Sequence, residues 1–203
     1  MSYVRRGPWT CGFLVVLLVA HAWFTFSPAA DGAVAWLSTN LENLARHPVG
    51  SLVGSAVVTD GPLLDPGLLI TLWLGIGVAL WWIEAHRGAG RAATVFLGGH
   101  VGATLLTAAV LVVALRSGRY PDDTRSAVDV GISYGAQAAL AALVVALPRK
   151  AWAPWVLFVL GWPIADAEWF GLLPDFTTVG HLIAAAIGFV LAATLLRTPR
   201  PTS

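Results

Sequence analysis

The chain has 203 residues, of which 57% are hydrophobic and only 11% charged, with a net charge of +1. A composition this apolar excludes an ordinary soluble domain and points to an integral membrane protein. Scattered Lys and Arg exclude nucleic acid as a partner, because a phosphate-binding surface needs them clustered. Cys11 is the only cysteine, which rules out an internal disulfide and any multi-cysteine metal centre.

A membrane-crossing helix needs about 20 mostly apolar residues, because only a helix satisfies its own backbone hydrogen bonds inside hydrocarbon. Six stretches read as spans: Trp9 to Phe26, Pro66 to Ile83, Ala92 to Leu115, Val130 to Leu147, Ala151 to Leu173, and Phe176 to Leu196. The first follows Arg5 and Arg6 and precedes Ala29 and Ala30, a pattern shared with secretory signals. Five further spans make a signal anchor the simpler reading. The expected fold is all-α, a six-transmembrane-helix bundle forming one membrane domain over 1–203, with its core at about 9–196 and short tails.

Basic residues favour the cytoplasmic side. With the N-terminus inside, Arg5, Arg6, Arg87, Arg91, Arg149, Lys150, Arg197 and Arg200 lie in the cytoplasm, whereas Arg46, Arg116, Arg119 and Arg125 lie outside. Both termini are therefore expected in the cytoplasm, with the chain multi-pass in the cell membrane. Arg outnumbers Lys eleven to one amid much Ala, Gly and Val, as in GC-rich bacterial genomes. Most tryptophans, Trp81, Trp82, Trp152, Trp155 and Trp169 among them, fall near span ends, where an interfacial belt accounts for them.

The long segment Ser27 to Asp65 between the first two spans is too polar to cross and too apolar for a free linker. It reads as short amphipathic helices interrupted at Pro48, lying in the interface. Loops of this length tend to be functional.

Two polar residues stand out by depth. With a helix start at Ala127, Ser133 sits about 9 Å down the fourth span, and His181 sits about 7 Å below Phe176 in the sixth. Both spans run inward, so the two residues lie near the same face. Gly131 and Gly135 flank Ser133, while Gly180, Ala184 and Gly188 repeat beside His181. Small residues spaced by four let membrane helices approach closely. A serine activated by a neutral imidazole needs that approach, though packing alone also explains the pattern. An intramembrane histidine is a functional hypothesis by default. Asp129 is placed at the first turn of the fourth helix, where a carboxylate favours the dipole. Asp166 and Glu168, in the outer half of the fifth span, either line a hydrated cavity or mark where that span surfaces.

The segments "GISYGA" and "GHLIAAAIG" resemble the two active-site motifs of the rhomboid intramembrane serine proteases. "WWIEAHRG", with Glu84 and Gly88, is similar to the Leu-Glu and glycine that end the family's second span, and "HPVGSLVGSAVV" looks like its first-loop segment. The resemblance runs from about Asn40 to Leu195. It implies a rhomboid-like bundle with a long outer first loop, Ser133 as nucleophile and His181 as general base. It further implies single-span membrane proteins as substrates, cleaved near the outer face without cofactor or metal.

There are departures. The family's second-span His and Asn donors would fall near Leu68 and Leu72, so both are absent. Tyr134 stands where the family has a glycine, Ala184 replaces a glycine, and Gly50 and Ser51 replace a first-loop Trp-Arg pair. Gly131, His100, Asp166 and Glu168 are candidates for a rebuilt oxyanion site or polar cavity, as are Asn40 and Asn43. The alternative is a catalytically inactive relative that binds membrane-helix clients through the same groove.

Overall fold

A computed structural model describes residues 2–59 and 61–196; Arg197 and Arg200, counted above for orientation, lie outside the described residues. After a single turn at Tyr3–Arg6, the helices are α1 (Pro8–Phe26), α2 (Ala30–Leu37), α3 (Leu41–Arg46), α4 (Pro48–Ser55), α5 (Pro66–Arg87), α6 (Ala89–Arg116), α7 (Ile132–Ala146), α8 (Trp152–Ala165) and α9 (Phe176–Leu196). A two-residue antiparallel pair, β1 (Trp169–Phe170) and β2 (Leu173–Pro174), forms a hairpin between α8 and α9.

Among the described residues four helices, α1, α5, α6 and α9, are long and apolar enough to cross a membrane. The other two of the expected six spans are shorter. At 1.5 Å per residue α7 and α8 reach only about 22 Å, short of a hydrocarbon core of about 30 Å. The fifth span does not continue to Leu173: α8 ends at Ala165, and Asp166 caps its C-terminus. Asp166 and Glu168 therefore sit exposed beyond the helix rather than within its outer half.

The start of α7 is also corrected. It begins at Ile132, not Ala127, so Ser133 occupies the first turn instead of lying 9 Å below it. The reason is tertiary. Asp129 is pulled out of helical conformation by the first loop: its amide donates to Ser38 Oγ at 2.9 Å, and its carbonyl accepts from the Thr39 amide at 2.9 Å.

α7 is the centre of the bundle, packed against α5, α6 and α9. Its Ala- and Gly-rich sequence suits that place, and each of the three neighbours presents a glycine to it. A Cβ on Gly75 of α5 would stand 2.7 Å from Ala136 Cβ, and one on Gly99 of α6 would stand 2.2 Å from Ala138 Cβ. On Gly188 of α9 it would stand 2.2 Å from the Ala138 carbonyl oxygen. The Gly131 and Gly135 pair faces α6, against His100 and Phe96, while Gly180 of α9 makes room for the Tyr134 ring. The core continues outward through Leu72, Ile76 and Leu80 of α5 and Val95 and Phe96 of α6.

At the end of the bundle away from the first loop, Glu84 is buried and accepts from the amides of Trp9 at 3.0 Å and Thr10 at 2.7 Å. It caps the free N–H groups that open α1. Gly88, at φ +92°, permits the tight turn from α5 into α6.

Replacing Gly188 with alanine is expected to destabilise the protein by about 1–3 kcal/mol, because its new methyl would meet rigid backbone. A lowered thermal midpoint in detergent checks this; an unchanged midpoint would mean that α9 can move away freely.

Candidate functional site

From Gly131 to Leu143 every residue is buried except Ser133. Ser133 opens onto a cavity of about 150 Å³. That volume has room for roughly five waters. His181 lines the same cavity from α9, with Trp162 and Asp166 from the end of α8 and Thr59, Leu68 and Thr71 from the opposite wall.

No hydrogen bond joins Ser133 and His181. The Ser133 hydroxyl donates to the Val130 carbonyl at 3.4 Å, a weak contact. Nε2 of His181 is buried without a partner. The imidazole is held between two aromatic rings, Tyr134 with centroids 5.2 Å apart and Trp162 with centroids 5.1 Å apart. Trp162 is itself fixed, since its Nε1 donates to Gln137 Oε1 at 3.0 Å while Gln137 Nε2 donates to the Val159 carbonyl at 2.6 Å. These bonds fasten α8 to α7. Among the described residues, the amides of Ile132 and Ser133 donate to nothing. Both lie in the first turn of a helix, where free N–H groups favour negative charge.

The other expected site residues separate into two groups. His100 and Gly131 do not line the cavity. They meet each other: the His100 ring lies between two carbonyls, with Nδ1 2.8 Å from the Gly131 oxygen and Nε2 2.7 Å from the Leu52 oxygen. A neutral ring donates to only one of these, and a doubly protonated ring to both. His100 thus ties α4 to the head of α7. Asn40 and Asn43 also point elsewhere. Asn40 caps α3 by accepting from the Asn43 amide at 2.9 Å, and the Asn43 side chain donates to the carbonyls of Ala35, Trp36 and Ser38.

Asp166 lines the Ser133 cavity and also a larger one of about 600 Å³, which Glu168 borders too. Asp175 lies on the larger cavity and caps α9, its Oδ1 accepting from the Thr178 amide at 3.0 Å. Burial would raise its carboxyl, but hydrogen bonds from Thr177, Thr178 and the Glu168 amide outweigh it and hold Asp175 below the usual carboxylate range.

Sequence reasoning missed Thr59 and Thr71. Counting back from Glu84 places apolar Leu68 and Leu72 near the donor positions. Leu72 is in the core, whereas Leu68 and Thr71 line the cavity.

A family model described as "Rhomboid-like protein" matches residues 2–201. The chain belongs to the rhomboid-like protein family. No curated protein and no solved structure matches it.

Asp129, beneath the first loop, gives a pH prediction. Burial pushes its carboxyl up to about 6, partly offset by the Tyr134 and Thr39 hydroxyls. Folding thus favours the protonated acid. Its stabilising contribution is complete below the unfolded value near 3.8 and is lost as pH rises through about 6. The wild type should lose about 1–3 kcal/mol between pH 4 and 7 relative to Asp129→Asn. Parallel melting curves for the two proteins over that range would reveal a mistaken assignment.

Proposed function

We propose that the protein is an intramembrane serine hydrolase, acting on peptide bonds of single-span membrane proteins near the outer face, with both of its own termini cytoplasmic. The observation that carries this reading is that Ser133, the one accessible residue in the head of a buried helix, shares a small cavity with His181, whose Nε2 is unpartnered. Family membership supports it.

In this mechanism a substrate carbonyl enters the cavity and displaces the weak Ser133 to Val130 contact. The hydroxyl turns to His181, whose Nε2 takes its proton as Oγ bonds to the carbonyl carbon. The resulting oxyanion is bound by the free amides at the head of α7, with Thr71 supplying a hydroxyl donor from the facing wall. His181 then returns the proton to the leaving amine. Water, deprotonated in turn by His181, attacks the acyl-serine and releases the new carboxylate. Catalytic hydrogen bonds are often loose before substrate binds, so the open dyad fits a resting state.

The second reading, an inactive protein that holds membrane-helix clients in the same groove, draws on Leu68. That apolar side chain occupies the wall where a histidine donor would serve catalysis.

Labelling with a fluorophosphonate separates the two readings. We expect the wild type to label, Ser133→Ala and His181→Ala not to, and Thr71→Val to label about 10 to 10² times more slowly. Equal labelling of all four proteins would leave the inactive reading standing.

A further inference from the structure

We propose that the 600 Å³ cavity beside the site receives a cationic segment, so that the preferred partners are membrane helices carrying Lys or Arg just beyond their outer end. The inference rests on the Ser133 and His181 cavity being the substrate site, but not on its catalytic activity.

The larger cavity adjoins the smaller one, and Trp162, Asp166 and His181 line both. A chain whose backbone reaches Ser133 can therefore continue into it. Its wall carries four carboxylates, Asp123, Asp166, Glu168 and Asp175, and no Lys or Arg. Among the described residues the one ion pair is Arg46 with Glu42, outside this cavity, so none of the four is neutralised by a salt bridge. Arg125, two residues after Asp123, does not line the space.

Two further features point to a ligand rather than to a merely solvated acidic surface. The walls between the carboxylates are aromatic, with Trp162, Phe170 and Phe176, and cations are attracted to such ring faces. The cavity wall also contains His181, whose buried Nε2 lacks any hydrogen-bond partner, a polar group left unsatisfied at the junction of the two cavities. The cavity lies beyond the end of α8 and at the start of α9, a helix long and apolar enough to cross a membrane, so a partner helix lying beside α9 would bring its own end to this space. Acidic walls of a cleft concentrate opposite charge and speed its arrival. A neutral or acidic flank would forgo this attraction or oppose it.

The test uses Ser133→Ala protein in phosphatidylcholine nanodiscs, so that neither turnover nor anionic lipid enters. Synthetic Leu/Ala membrane helices carry a dansyl group and an outer flank of Lys-Lys, Ser-Ser or Glu-Glu, and binding is read by energy transfer from the protein's tryptophans. We expect the Lys flank to bind roughly five- to tenfold more tightly than the Ser flank, and the Glu flank more weakly than either. The Lys preference should collapse near 1 M salt, where the screening length is about 3 Å. It should also vanish in Asp166→Asn/Glu168→Gln, a pair chosen because both residues are exposed and neither side chain makes a hydrogen bond among the described residues. Equal affinity for the three flanks at low salt, or no measurable binding of any, overturns the proposal, and this holds on the unaltered cavity even if the double variant fails to fold. Failure of fluorophosphonate labelling, by contrast, would remove the hydrolase reading and leave the flank preference intact.

Discussion

The close approach of α5, α6 and α9 to the small-residue helix α7 is the constraint on which the rest of the structure depends. Where two membrane helices separate from lipid to pack on each other, no hydrophobic gain drives them, because lipid tails are as apolar as leucine. Contact must come from dispersion, and dispersion falls off steeply when a gap opens. Glycine at 75, 99, 180 and 188 brings neighbouring backbones against Ala136, Tyr134 and Ala138. The same approach explains how α7 can be too short to cross a bilayer. With its sides covered by protein, it does not have to match hydrocarbon thickness, and the space above its head becomes the cavity at Ser133.

What fixes that head is a set of polar contacts made by the first loop. Ser38 and Thr39 hold Asp129 extended, and His100 joins the carbonyls of Leu52 and Gly131. A buried carboxylate raised to about 6 is a costly anchor, since the ionised form is penalised by burial. Its several hydrogen bonds oppose that penalty and make the geometry specific. The site therefore owes its position less to α7 itself than to two segments, at 38–52 and 127–131, that meet above it. The long loop has a structural task whatever its exposed surface does.

Much of this was legible in the sequence. Small residues every four positions beside His181 foretold a packed face, and that face of α9 does lie on α7. The Gly131 and Gly135 pair was equally visible, but its partner was not: it lies on α6, because Tyr134 fills the space toward α9. Helix starts were the weak point. The pattern at 127–131 reads as the first turn of a helix, and only contacts from a loop some 90 residues earlier draw Asp129 out of it. The hydroxyls of Thr59 and Thr71 were hidden for a different reason: neither belongs to a motif, and only the folded chain brings the end of the first loop and the start of α5 to one cavity. Charge at 166 and 168 is costly within a span. The cost is avoided by ending α8 early, so that both carboxylates meet water.

The separate bonding of Ser133 and His181 is itself informative about energy. A contact of 3.4 Å between the Ser133 hydroxyl and the Val130 carbonyl is long for an O–H donor, and little is lost by breaking it. An unpartnered, buried imidazole nitrogen is the more expensive item, at about 1–3 kcal/mol. Turning the hydroxyl toward Nε2, or bridging the two by a water in the cavity, exchanges a poor bond for a needed one, while the Val130 carbonyl stays free to find solvent. The balance thus favours closure once an occupant orders the cavity. The resting protein bears that cost with the ring already in place, since Tyr134 and Trp162 both pack against it. In the proposed hydrolysis, a held imidazole and a loosely tethered hydroxyl would place the required movement in the smallest group available.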